Sequence, residues 1–205
     1  MIAAIVDLVM SRETGTRGKK RLDRRVRKIL AEVRNRFGSQ CGATPSLTQG
    51  DSIELLVTGP IPVMYLFHRL MVEGMGFRVG LGTGRITDHN EYADECDGPA
   101  FWNAREALEE IRRSKHMKRR AAFRVSEKGK RGEEESVLYC VLFLAALQGM
   151  TATQLRLCFR HLWHGEGVTQ IAKAVKTSLA NVSKALGKTP CYLLADILSW
   201  LGRTA

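Results

Sequence analysis

The stretch VTQIAKAVKTSLANVSKAL, residues 168–186, decides how the C-terminal part of this chain folds. Apolar residues recur in it at helical spacing in two short sets: Ile171, Ala172 and Val175, then Leu179, Val182 and Leu186. Between the sets Lys176 and Thr177 make a break, and Ser178 stands where a helix N-cap belongs. Thr169 is placed to cap the first of the two helices. Two short helices, a three- or four-residue turn and a small alanine at the crossing predict a helix-turn-helix. On the second helix Ala180, Asn181, Ser183 and Lys184 point away from the apolar stripe. Asn181 and Lys184 are the expected readers of base edges, with Lys173, Ser178, Ser183 and Lys188 expected at phosphates.

Working outward, the chain from Glu133 onward reads as four or five helices. Glu133, Glu134 and Glu135 suit the positive end of a first helix; Gly149 ends it and Thr151 caps the next. Just upstream, KGKRG (128–132) is charged, glycine-bearing and without apolar anchors, as a linker is. The pattern before it is different, which predicts an N-terminal domain over 1–127 and a helical DNA-binding domain over 133–205.

In that N-terminal part, residues 1–9 form a run of Ile, Val and Ala that predicts a central strand buried on both faces. A helix over 19–37 follows, with Leu22, Val26, Ile29, Leu30 and Val33 on its buried stripe. Residues 11–36 hold 11 Lys and Arg against 3 Asp and Glu, so the other face of this helix is basic: a solvated face or a phosphate contact. Residues 45–57 read as two strands meeting at Gln49-Gly50-Asp51. Gly59-Pro60 starts a helix, 77–86 is a strand, an acidic loop follows, 100–115 is a helix and 121–125 a short strand. The order βαββαβαβ predicts one sheet with helices packed on it, an α+β fold.

A formal net charge of +11 and a pI of about 9.8 favour a polyanionic partner. Five scattered cysteines, odd in number and with no CxxC pair, argue against a disulfide framework or zinc site and for a reducing cytoplasm. The opening apolar run lacks a basic n-region, and the run over 137–147 is too short to span a bilayer. The expectation is a soluble, cytoplasmic protein with no membrane partner.

Two carboxylates complete the candidate chemistry. Asp7 near the end of the first strand and Asp51 in the hairpin could together hold Mg²⁺ against phosphate oxygens. Each alone also suits a structural role, as a cap or a turn former. Gly80, Gly82 and Gly84 allow close backbone approach but do not make a GxGxxG dinucleotide loop.

Four segments, in this order, resemble the SatD family across nearly the whole chain: the strand with Asp7, Ser11 and Arg12, the Gly50-Asp51 turn, Gly80-x-Gly82-x-Gly84, and DGPAFWNAREAL from Asp97. The same part is similar, more faintly, to the palm of class III nucleotidyl cyclases, which implies a ferredoxin-like sheet domain. That resemblance implies Asp7 and Asp51 as metal ligands, with Ser11, Arg12, Gly50, Asn103 and Arg105 near a nucleotide. In cyclases the Asn and Arg stand four residues apart. Here Asn103 and Arg105 are two apart and point to different sides of a helix. The C-terminal TQIAKAV and SLANVSKAL resemble region 4 of bacterial sigma factors, with Lys176 where many such proteins carry glycine.

The expectation is therefore a DNA-binding transcriptional regulator whose cyclase-like N-terminal domain binds nucleotide and metal or dimerises. The alternative is a Mg²⁺-dependent nucleotidyl cyclase or transferase joined to a helix-turn-helix. The partners implied are double-stranded DNA, a nucleotide, a second copy of the chain and, through the sigma resemblance, RNA polymerase.

Overall fold

Side chains of the first strand, β1 (Ile2–Val9), alternate between two cores. Ile2, Ala4, Val6 and Leu8 enter the larger core, while Ala3 and Ile5 enter a second one on the other face. That period of two explains why the strand reads as an unbroken apolar run: both faces are covered. The computed structural model describes residues 1–9, 16–48, 52–113, 121–125 and 132–204.

After β1 come α1 (Thr16–Phe37), β2 (Ser46–Leu47), β3 (Ser52–Val57), α2 (Ile61–Val72), β4 (Gly76–Thr83), α3 (Pro99–Arg113) and β5 (Ala121–Arg124). Five helices follow: α4 (Glu133–Gln148), α5 (Ala152–His164), α6 (Val168–Ala174), α7 (Leu179–Gly187) and α8 (Cys191–Thr204). The fold is mixed α+β, with a five-stranded mixed sheet and eight α-helices among the described residues. Strand order is β2-β3-β1-β4-β5. All neighbours are antiparallel except β4 and β5, which run parallel. The turn expected at Gln49-Gly50-Asp51 lies outside the described residues. Within the acidic loop a short 3₁₀ turn covers Ala93–Glu95.

Helices α1 and α2 cover the larger core face. Of the α1 stripe the sequence marked, Val26, Ile29, Leu30 and Val33 are buried and Leu22 is half-buried against the core; Phe37 is buried with them. Nine of the twelve residues of α2 are buried. The second face belongs to α3, through Ala100, Phe101, Ala104 and Leu108. Gly80 and Gly82 of β4 make that possible. A Cβ at Gly80 would come within 2.7 Å of the Leu108 backbone nitrogen, and one at Gly82 within 2.9 Å of the Asn103 carbonyl carbon. Close backbone approach, read from these glycines in the sequence, is the approach of α3 to the sheet.

The C-terminal helices extend the same core. Buried Val137, Cys140, Phe143, Leu144 and Leu147 of α4 and Leu155, Cys158, Phe159 and Trp163 of α5 join the residues of α1, α2 and the sheet. The junction with α2 is aromatic. Tyr65 lies 5.1 Å from Trp163, 5.3 Å from Phe37 and 5.5 Å from Phe159, measured between ring centroids. His68 is fully buried in this junction. Its Nε2 bonds the Leu155 carbonyl at 2.9 Å, and its Nδ1 accepts from Trp163 Nε1 at 3.0 Å. Burial pushes its pKa down from 6.5 to about 4, so the ring is neutral. All five cysteines are free. Among the described residues, no helix is long and apolar enough to cross a membrane.

Candidate nucleic-acid interface

Helices α6 and α7 are set on α5 by local chemistry that the sequence carries. Thr151 caps α5 in a reciprocal box: its hydroxyl accepts from the Gln154 N–H, and the Gln154 side chain accepts from the Thr151 N–H at 2.9 Å. Gly165, in the left-handed region at φ 67°, ends the helix. Arg160 then grips Glu166 through two bonds of 2.7 and 2.8 Å, which fixes the corner. Gly167, rather than Thr169, is the N-cap of α6. Its N–H donates to the Gln170 side chain at 2.8 Å, so Thr169 falls inside the first turn. The sequence signal for this start is a glutamine three residues after the cap, found at both Thr151 and Gly167.

The turn between α6 and α7 centres on Lys176, the non-glycine residue with positive φ (54°) among the described residues. This is the position where the sigma-like pattern carries glycine. Thr177 N–H donates back to the Ala172 carbonyl at 3.0 Å and closes the turn. Ser178 caps α7 as expected, its Oγ accepting from the Asn181 N–H at 3.1 Å. Ile171, Ala172, Val182 and Leu186 are buried and make the seam between the two helices. Val175 and Leu179, expected inward, are 41% and 53% exposed. The reason is length: α6 and α7 have seven and nine residues. Val175 is the C-cap and Leu179 the first helical residue, so both lie at the tip, beyond the crossing.

That tip is exposed, with Val175 at the rim of a cleft that Tyr65, Arg69 and Phe159 also line. Every residue from Lys173 to Asn181 is exposed, as are Ser183, Lys184 and Lys188. All six residues expected at DNA therefore face solvent. Asn181, Lys184 and Lys188 recur at three- and four-residue steps along one face of α7 and its end. The Asn181 amide donates to Thr177 Oγ1 at 3.3 Å, which orients it across the turn.

The residues expected at a nucleotide are distributed differently. Asp7 faces α3, where Arg112 holds it through an ion pair of 3.2 Å. Its register partner on β4 is Arg78 and on β3 Ser52. Asn103 donates to the Thr83 carbonyl at 2.9 Å, and Arg105 pairs with Asp97 at 3.1 Å. Thr83 pairs with Ile2 while Arg78 pairs with Asp7, and those two positions of β1 are about 17 Å apart. Asp7 and Asn103 thus sit toward opposite ends of the sheet. Asp51, Gly50, Ser11 and Arg12 lie outside the described residues. Among the described residues, no three His, Cys, Asp or Glu side chains are grouped to hold a metal. Of the expected metal pair only Asp7 is described, and a guanidinium already occupies its carboxylate.

The model of the SatD family matches residues 1–153. The chain belongs to the SatD family. No curated protein and no solved structure gives a significant match to it. The SatD match takes in the whole sheet, α4 and the first residues of α5, and ends before α6 and α7. Among the SatD-like motifs, Gly80 and Gly82 are explained by the packing of α3. Asp97 accepts from Trp102 Nε1 at 3.0 and 3.1 Å and from Arg105. Those bonds hold its carboxyl below the usual range. The DGPAFWNAREAL segment of this SatD-family chain therefore has a structural account as the start of α3.

Proposed function

We propose that the chain is a DNA-binding transcriptional regulator that reads duplex DNA with α7. The observation that carries this reading is the exposed tip from Lys173 to Asn181. It projects from a capped, tightly cornered helix pair and presents amide, hydroxyl and ammonium groups to solvent. An α-helix of this kind fits the major groove, where an asparagine can bond adenine and a lysine guanine. Exposed Leu179 adds an apolar group suited to a thymine methyl.

In this reading the sheet domain serves the helix pair as a sensing or dimerising part. Its order, with β1, β2, β3 and β4 arranged as 2-3-1-4 and all antiparallel, supports a ferredoxin-like, palm-type ancestry. The Asp7–Arg112 pair argues for binding or assembly before turnover. A homodimer on a two-fold site is the assembly that suits such a motif.

The test is titration of labelled duplexes selected from a random pool. Asn181→Ala with Lys184→Ala is expected to remove sequence preference and weaken the selected site by about 10- to 100-fold. Unchanged affinity for the selected site in that variant would sink the assignment of α7 as the reading helix.

A further inference from the structure

Helix α1 carries a charge pattern that its own fold does not explain. Lys19, Lys20, Arg21, Arg24, Arg27, Lys28, Arg34 and Arg36 are exposed along it. The two acids of the helix, Asp23 and Glu32, are only half-exposed, and Glu32 is taken by Arg69 at 2.9 Å. There is no acid in the first turn, where the helix dipole favours one and disfavours cations. Lys20 and Arg24, and Arg24 and Lys28, are like charges four residues apart, an arrangement that weakens a helix. Both effects weaken this helix taken by itself.

Not every cation on α1 is available. Arg25 is held by Glu73 and Arg36 bonds the Trp163 carbonyl. Arg27 and Arg34 border a cleft that also contains Asp94 and Glu95. Arg21 borders another cleft, shared with Arg25 and Glu73, and Lys19 is engaged as well. Lys20, Arg24 and Lys28 form a single stripe for which no ion pair is seen among the described residues. The stripe runs about 12 Å along the helix axis, against one phosphate for about every 3.4 Å of axis on each strand of a duplex. The apolar stripe of α1, from Val26 to Phe37, is buried in the core. The helix thus offers cations without the exposed apolar face that a membrane-surface helix inserts.

We propose that Lys20, Arg24 and Lys28 form a second, sequence-independent DNA contact that grips the phosphate backbone of the duplex read by α7. The contact rests on the DNA-binding reading given above. The end of α1 is tied to the end of α5 by the Arg36–Trp163 bond, and α6 begins only a short turn further on. Backbone contact on α1 and base contact on α7 thus belong to one connected frame. Its role is affinity and registration, while α7 supplies discrimination.

The experiment measures affinity for a labelled duplex by fluorescence anisotropy between about 50 and 200 mM salt. Three proteins are compared with wild type, each checked for an unchanged circular dichroism spectrum. Lys20→Gln/Arg24→Gln/Lys28→Gln is expected to lower the slope of log affinity against log salt by about 0.9 for each phosphate no longer neutralised, about 2.7 in all. It should keep its preference for the selected site. Arg85→Gln/Arg113→Gln/Arg203→Gln removes the same charge elsewhere and should leave the slope unchanged. Asn181→Ala/Lys184→Ala should lose preference instead. An unchanged slope in the α1 variant, or an equal drop in the Arg85 control, overturns the α1 contact and leaves the reading of α7 standing. Preference retained by the Asn181 variant overturns that reading alone. Absence of any duplex binding by wild type at low salt, or binding to anionic lipid vesicles in its place, overturns both.

Discussion

His68 is where acid should loosen this protein. The ring is buried between α2 and α5, with Nε2–H donating to Leu155 and Nδ1 accepting from Trp163. Only the neutral tautomer with its proton on Nε2 satisfies both bonds. An imidazolium would turn Nδ1 into a donor facing the Trp163 N–H. The pKa is accordingly about 4 in the fold against 6.5 ordinarily. Between those values the unfolded chain binds a proton that the folded chain refuses, so stability falls as the pH falls. Each pH unit of that gap is worth about 1.4 kcal/mol, giving about 2 kcal/mol lost by pH 5 and about 3 kcal/mol below pH 4. The measurement is urea unfolding followed by tryptophan fluorescence at several pH values, on wild type and His68→Gln. Glutamine can keep one donor and one acceptor without titrating. The wild type should lose about 2 kcal/mol more than the variant between pH 7.5 and pH 5. Carboxylates such as Glu73, whose pKa is lowered by bonds from Arg25 and Arg69, contribute equally to both proteins and cancel. Parallel curves would refute the argument, because no buried neutral histidine would then be linked to folding.

Three further outcomes rest on particular residues. Lys176→Gly should stabilise the chain by about 1 kcal/mol in urea unfolding, since glycine adopts the left-handed turn without the Cβ penalty; a loss of stability would contradict the turn geometry. Glu54→Gln should raise the melting temperature at pH 7.5, and the gain should shrink toward pH 4. Burial chiefly, with Asp94 and Asp97 adding, raises the Glu54 pKa against the pull of Arg105, and its Oε2 has no hydrogen-bond partner among the described residues. An equal gain at both pH values would remove that cause. Gly82→Ala should cost several kcal/mol, because the new Cβ meets the α3 backbone. A mutant within about 0.5 kcal/mol of wild type would show that α3 is free to move away.

Periodicity and punctuation are what local sequence makes legible. The two-sided burial of β1, the apolar stripe of α1, the Thr151 and Ser178 caps and the exposed face of α7 each follow from residues within one or two turns of each other. Lys176 stands out in the sequence as the odd residue at a turn, and its backbone is left-handed there. Val175 and Leu179 show the limit of such patterns. Periodicity says which residues share a face, not whether another element covers that face.

The α+β order, the helix pair and the surplus of positive charge can all be had from the amino-acid sequence, since each depends on near neighbours or on composition. Which distant groups meet is a property of the folded chain alone. Folding joins Asp7 to Arg112 across 105 positions and keeps Asn103 toward the other end of the sheet. It also places His68 against Trp163. Such meetings depend on the register of β1 with β4 and on the packing of α5 against α2. Those are set by the summed burial of many side chains distant in sequence, and no local pattern encodes them.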